Sequence, residues 1–271
     1  MDSSKLKKIA FDRRLDVLEM VYASKAGHIG GSMSCMDILV ALYYGVMDVN
    51  KILNKHLNRP RFILSKGHSA EALYAVLAHR GFFPPQELTG FGKYDTPFAE
   101  HPTRTIPGVE MATGALGHGL SAGVGMAIGT PDSQVYVLMG DGELAEGTVW
   151  EAAMSAAKYK LGNLTAIVDR NRLQISGDTE TVMPLGDLAA KFSAFGWAVR
   201  EAHGHEPSEI IQGLTAARPS NQPIVLLAHT IKGYGSPVME NKADWHHRIP
   251  SAEEYHQIKA DLQHKRGNLH D

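Results

Sequence analysis

The chain has 271 residues, 44% of them hydrophobic and 21% charged, with a net charge of −2. That is a globular composition long enough to bury a large core, with no basic footprint for nucleic acid and no polybasic patch for a membrane surface. Cys35 is the one cysteine, which excludes an intrachain disulfide; no apolar leader run opens the chain and no uninterrupted apolar stretch nears about 20 residues, so the expected setting is the cytoplasm, away from any membrane.

Apolar residues at helical spacing predict an amphipathic helix over 4–26, ending at Gly27. A loop over 27–32 leads to a second helix over 34–44, where Cys35 reads as a small buried hydrophobe. Residues 61–65 read as a short buried strand, 66–68 as a turn, and 71–80 as a helix. The stretch 81–115 is loop-rich, with five prolines and several glycines. Beyond it the chain alternates: helix 117–128, strand 135–139, helix 148–159, strand 164–168, helix 185–195, strand 197–200, helix 207–217, strand 224–228. Strands that are apolar on both faces and alternate with helices indicate a parallel sheet covered on both sides. The fold class expected is α/β, a doubly wound, mostly parallel sheet in a single domain over 1–271, with a tail from about 230.

The most informative segment runs from 135 to 177. One buried strand ends in Gly140-Asp141-Gly142 and the next in Asp169-Arg170-Asn171, with Asp141 and Asn171 thirty positions apart. In a doubly wound sheet both turns face the crevice beyond the carboxyl ends of the strands, so two oxygen-bearing side chains can meet there. Hard oxygen donors suit Mg²⁺ or Ca²⁺, and Mg²⁺ in particular is held by few protein groups together with phosphate oxygens. Gly142 permits close backbone approach to such a phosphate. A dinucleotide site is the competitor, but no Gly-x-Gly-x-x-Gly follows a strand with an acid at the right distance.

This segment resembles the thiamine diphosphate signature of the transketolase family: Gly140-Asp141-Gly142, Glu146-Gly147, Glu151-Ala152, Leu161-Gly162-Asn163-Leu164 and Asp169-x-Asn171, closing at Gly177. Four of the fourteen histidines also lie in motifs similar to that family's. They are His28 in Gly27-His28-Ile29-Gly30, His68 in Leu64-Ser65-Lys66-Gly67-His68, His101 in Glu100-His101-Pro102 (family pattern Gly-His-Pro-Glu), and His246 in Trp245-His246-His247 (family pattern Trp-His-Gly). Others, such as His264 and His270 in the polar tail, read as solvated. The loop Thr113-Gly114-Ala115-Leu116-Gly117-His118-Gly119 resembles Thr-Gly-x-Leu-Gly-Gln-Gly, with His118 in place of Gln and no role assigned to it.

The resemblance implies thiamine diphosphate bound through Mg²⁺, with Ca²⁺ or Mn²⁺ as substitutes. Asp141, Asn171 and the Leu173 carbonyl would hold the metal. His68, Lys232 and His246 would face the diphosphate, and Gly114, Leu116, Gly140 and Gly142 would bring backbone close to the cofactor. His28 and His101 would line the channel to substrate, where imidazole can move a proton near neutral pH, and Glu146 and Glu151 would join a carboxylate network across a subunit interface. The pattern around Lys232 and His246 is the animal type; microbial full-length enzymes place a histidine where this chain has Ala243, and His247 stands where the family has glycine. The reaction implied is transfer of a two-carbon ketol unit from a ketose phosphate to an aldose. The resemblance covers about 5–250, so the expectation is an N-terminal subunit completed by a separate C-terminal, pyrimidine-binding chain, in an α₂β₂ assembly. The alternatives are an unusual sugar substrate (a sulfo-sugar or a branched sugar), the α subunit of another thiamine diphosphate enzyme, and a non-catalytic regulatory subunit.

Overall fold

A computed structural model describes residues 2–269. Helix α1 (Ser3–Ser24) starts where the Asp2 carboxylate accepts from the Ser4 N–H, and it ends at Lys25 in the left-handed conformation. Its Leu6, Ala10, Arg14, Val17 and Val21 are buried at three- and four-residue steps, with Leu18 next to Val17 also buried. Helix α2 (Ile29–Ala41) corrects the expected loop over 27–32, since the helix begins directly after His28. Gly30 hides this in the sequence. It reads as loop, but a Cβ there would sit 2.5 Å from the Trp245 carbonyl oxygen, so glycine serves close packing inside a helical turn. Every residue of α2 is buried, and it runs on into a π-helical turn, Leu42–Val46. The stretch Ile29–Val46 is long and apolar enough to cross a membrane by length and composition, but here it is a core element packed among α1, α4 and α9.

Next come α3 (Val49–Leu53), capped by Asp48 and unread in the sequence, β1 (Arg61–Leu64) and α4 (Ala70–His79). Beyond the loop over 81–115 lie α5 (His118–Gly129), β2 (Val135–Gly140), α6 (Gly147–Lys158) and β3 (Leu164–Arg170). A small antiparallel hairpin, β4 (Leu173–Gln174) with β5 (Gly177–Asp178), follows β3, then α7 (Thr179–Val182) and α8 (Leu188–Ala194). The sheet is completed by β6 (Ala198–His203), α9 (Pro207–Thr215) and β7 (Ile224–His229).

The five-stranded sheet has the order β1-β2-β3-β7-β6, parallel throughout. Alternate residues feed two cores. Val135, Val137 and Met139 of β2 face the layer of α5, α6 and α8, while Tyr136 and Leu138 face that of α1, α2, α4 and α9. The doubly wound α/β expectation therefore holds. The strand order reverses between β3 and β7, and in such sheets ligands sit beyond the strand ends at that reversal.

The expected tail after 230 is instead structured. Helix α10 (Ala252–Gly267) opens with a capping box between Ser251 and Glu254, carries basic residues in its last turn, and packs Tyr255, Ile258 and Leu262 against α1. Only three buried residues in a polar sequence carry that amphipathic signal. His264 is exposed on this helix, as expected; His270 lies outside the described residues.

Candidate functional site

The pairing of Gly140 with Asp169 sets the two strand-end turns side by side. Asp141 Oδ1 accepts from the Gly142 N–H at 2.8 Å, and Oδ2 from Arg170 Nη1 at 3.1 Å and the Arg172 N–H at 2.5 Å. Asn171 Oδ1 accepts from the Leu173 N–H at 3.0 Å, while its Nδ2 donates to Asp169 Oδ2 at 3.2 Å. These bonds fix the headings of both side chains and carry the chain into β4. Asp141, Asn171 and Leu173 line one cavity of about 360 Å³, together with His68, Gly114, Leu116, Gly140, Gly142, Glu146, Lys232 and His246. A larger depression of about 460 Å³, between α1 and the turn Pro85–Gly90, contains none of these residues.

The cavity floor also uses residues to which the motifs gave no role. Lys66 and Asp169 form an ion pair with side chains essentially inaccessible to solvent. Burial opposes both charges, but each partner outweighs it: Asp169 raises the Lys66 pKa, and Lys66 with the Ser34 and Thr230 hydroxyls lowers that of Asp169. Glu143 accepts from the Ser65 hydroxyl, the Gly117 N–H at 2.8 Å and the Gly140 N–H at 3.1 Å, so one buried carboxylate ties together the ends of β1 and β2 and the start of α5. A lone acid two residues after Asp141 gives no sign of this in sequence; only the fold brings its three donors together.

Lys232 Nζ lies 2.8 Å from His246 Nδ1 and donates to the Leu173 carbonyl at 3.3 Å. Burial, then Lys66, lowers the Lys232 pKa to about 8; burial, then Lys232, lowers that of His246 to about 3. His68 is held well below its usual value by burial and then Lys66. Its ring packs 5.0 Å from His246, centroid to centroid.

His28 and His101 lie at the rim, outside the cavity lining. The His28 ring is 5.6 Å from each of His68 and His101 and 5.7 Å from His246, so four histidines distant in sequence form one cluster. Buried Glu71 holds the His28 turn, accepting from the His28 N–H at 2.6 Å and the Ser32 hydroxyl at 2.8 Å. Gly27 is required beneath it: at φ +129°, a Cβ there would meet Glu71 Oε1 at 2.5 Å. Burial raises the Glu71 pKa to about 7. Glu146 stands at the N-terminal boundary of α6, its side chain making no capping bond, and is exposed at the cavity edge; Glu151 is exposed one turn further along the helix and does not reach the cavity. His118 is exposed at the start of α5.

These residues fit a small hard dication bound together with a diphosphate. The donors are a carboxylate, an amide oxygen and a peptide carbonyl, all oxygen. Burial and then Asp169 raise the Asp141 pKa, which marks a site that a cation would relieve; the lowered pKa of Lys232 marks one that an anion would relieve. Among the described residues, the buried Gln174 Oε1 in the same cavity has no hydrogen-bond partner.

Residues 6–268 match the family model described as transketolase, thiamine diphosphate binding domain. The chain is 48% identical over 247 residues to an apulose-4-phosphate transketolase subunit of Phocaeicola vulgatus, covering 89% of this chain and 88% of that one. It is 38% identical over 252 residues to the 6-deoxy-6-sulfo-D-fructose transketolase subunit SqwG of a Clostridium species, covering 91% and 92%. Human transketolase is 36% identical over 246 residues, which are 89% of this chain but 39% of the human one. The crystal structure of transketolase from Campylobacter jejuni superposes with a TM-score of 0.89 at 29% identity, over 98% of this chain and 43% of that one. The chain thus spans about two-fifths of the length of these larger transketolases.

Proposed function

The chain belongs to the transketolase family, as its thiamine diphosphate binding domain, and on that premise we propose that it is the diphosphate-binding subunit of a two-subunit transketolase. The observation that carries this reading is the single cavity into which the fold brings Asp141, Asn171, Leu173, His68, Lys232 and His246 from three strand ends and two loops. In this reading Asp141, Asn171 and the Leu173 carbonyl hold Mg²⁺, or Ca²⁺ or Mn²⁺ in its place. His68, Lys232 and His246 hold the diphosphate, with Gly114, Leu116, Gly140 and Gly142 giving the backbone room to close on it. Bound thiamine diphosphate supplies the electron sink through which a two-carbon ketol unit passes from a ketose phosphate to an aldose.

The chain's own residues then orient, shield and move protons. His28 is largely neutral at pH 7, because burial and then His247 lower its pKa to about 4, so it is suited to accept a hydrogen bond or a proton from a sugar hydroxyl. His101 stands beside it to fix the sugar's orientation. Glu71, buried under the His28 backbone, is a positioning residue.

A separate partner carrying the pyrimidine half is supported by relatives of matching length that are named as subunits. We place Glu146 and Glu151 at the interface with it, in an α₂β₂ assembly. The name of the 48% identical relative favours apulose 4-phosphate, or a sugar phosphate like it, as a substrate. A reducing, cytoplasmic setting accords with a lone, fully buried Cys35. An assay with a ketose phosphate, an aldose, thiamine diphosphate and Mg²⁺ tests the reading. The expected result is turnover only when a pyrimidine-binding chain is added; rapid turnover by this chain alone contradicts it.

A further inference from the structure

The rim carries two side chains, Glu100 and His247, to which the ketol chemistry gives no role. Glu100, from the loop before His101, and His247, just past the turn Ala243–His246, meet over His28. Glu100 Oε2 lies 3.5 Å from His28 Nδ1 and 3.2 Å from His247 Nε2. One ligand-capable atom from each of the three residues lies within 4.8 Å of the other two. An ion held tetrahedrally at about 2.0–2.1 Å by nitrogen and oxygen donors spaces those donors by roughly 3.4 Å, so two of the three edges are already in place. His28 Nδ1 is a buried atom with no hydrogen-bond partner among the described residues.

The donor types decide the class of ion. Two imidazoles and one carboxylate suit Zn²⁺ and the neighbouring late first-row dications; Mg²⁺ and Ca²⁺ favour all-oxygen sets such as Asp141, Asn171 and Leu173. Burial, then His247, keeps His28 unprotonated at neutral pH, which leaves a lone pair for a metal. The His28 and His247 rings are 4.5 Å apart, and the Glu100 carboxylate bridges their nitrogens. Glu100 and His247 both stand where the transketolase motifs have glycine, so the cluster belongs to this chain's departures from the pattern.

We infer that His28, Glu100 and His247 form a binding site for a transition-metal dication of the Zn²⁺ class at the channel mouth, separate from the oxygen-lined cavity. Three protein ligands leave a fourth position open to water or to a sugar hydroxyl. Occupancy ties up His28 and so closes the channel to substrate; this consequence rests on the proposed function, but the binding itself does not.

The test is Zn²⁺ titration of the full chain against a chromophoric chelator, with Mg²⁺ in excess to saturate the oxygen donors. The expected result is one Zn²⁺ per chain, with affinity reduced at least about tenfold in both Glu100→Gln and His247→Ala. Asp141→Asn and His256→Ala, the latter on the exposed side of α10, leave it unchanged. Equal Zn²⁺ affinity in wild type, Glu100→Gln and His247→Ala overturns the inference, as does loss of Zn²⁺ in Asp141→Asn, since the ion would then be reading the oxygen site.

Discussion

The floor of the cavity and its rim are both built from polar and ionisable side chains, and they behave differently. On the floor Lys66, Asp169, Glu143, Asp141 and Asn171 are all buried, and every one is tied by hydrogen bonds to a strand end. At the rim His28, Glu100, His101 and His247 are partly or fully exposed and have few partners. A preorganised floor suits a group that stays bound, because its donors are already oriented when the ligand arrives. A loosely tied rim suits substrates that must enter and leave. The two regions thus differ in burial and hydrogen bonding as well as in residue type: buried, fully tied carboxylates, lysine and asparagine hold, and more exposed, loosely tied histidines and a glutamate handle.

The largest contrast should come from breaking the floor's ion pair. Lys66→Ala strands the buried Asp169 carboxylate and is expected to cost about 3–5 kcal/mol in urea unfolding, while the half-exposed Glu100→Ala costs less than about 1 kcal/mol. Equal losses would remove the distinction between the two regions.

Glu71, buried beneath the rim turn, gives a pH signature of intermediate size. Its folded pKa is raised to about 7, above an unfolded value near 4.3. Between those values the folded chain binds a proton that the unfolded chain does not, so stability falls as pH rises through the window. Unfolding at pH 5 and pH 8 should differ by roughly 2.5 kcal/mol from this group, and Glu71→Gln should abolish that part of the slope. An unchanged slope in the variant would show that the rim turn is not held by a protonated carboxyl.

A smaller effect is expected where α2 meets the segment carrying His246. Gly30→Ala drives a methyl against the Trp245 carbonyl and should cost about 1–3 kcal/mol, read as a lowered melting temperature. A neutral result would mean that the 245–246 segment shifts freely. The smallest is Glu151→Gln, within about 0.5 kcal/mol of wild type in stability because the side chain is exposed. The proposed interface requires that the same variant weaken assembly with the partner chain in sedimentation; unchanged assembly would remove Glu151 from that interface.

Much of this is legible in the sequence, for reasons of physics. The strands are apolar on both faces and separated by helices, so the parallel sheet and the two strand-end turns can be read directly. Asp141 and Asn171 are visible because one strand-helix-strand unit separates them. Glu143, Lys66 and Glu71 are not visible, because their value comes from partners 26 to 103 positions away. The start of α2 reads wrongly as loop because Gly30 and Gly31 serve close packing rather than a turn. Helix α10 escapes notice because it buries few apolar residues, although its Ser251–Glu254 capping box is there to be read.

The most direct measurement is calorimetric titration of thiamine diphosphate into the protein with saturating Mg²⁺, repeated in EDTA and with Asp141→Asn. A floor that holds a metal-bridged diphosphate predicts binding that requires Mg²⁺ and weakens by at least about 100-fold in Asp141→Asn, with His101→Ala retaining it. Binding that is indifferent to EDTA and to Asp141→Asn would contradict that assignment.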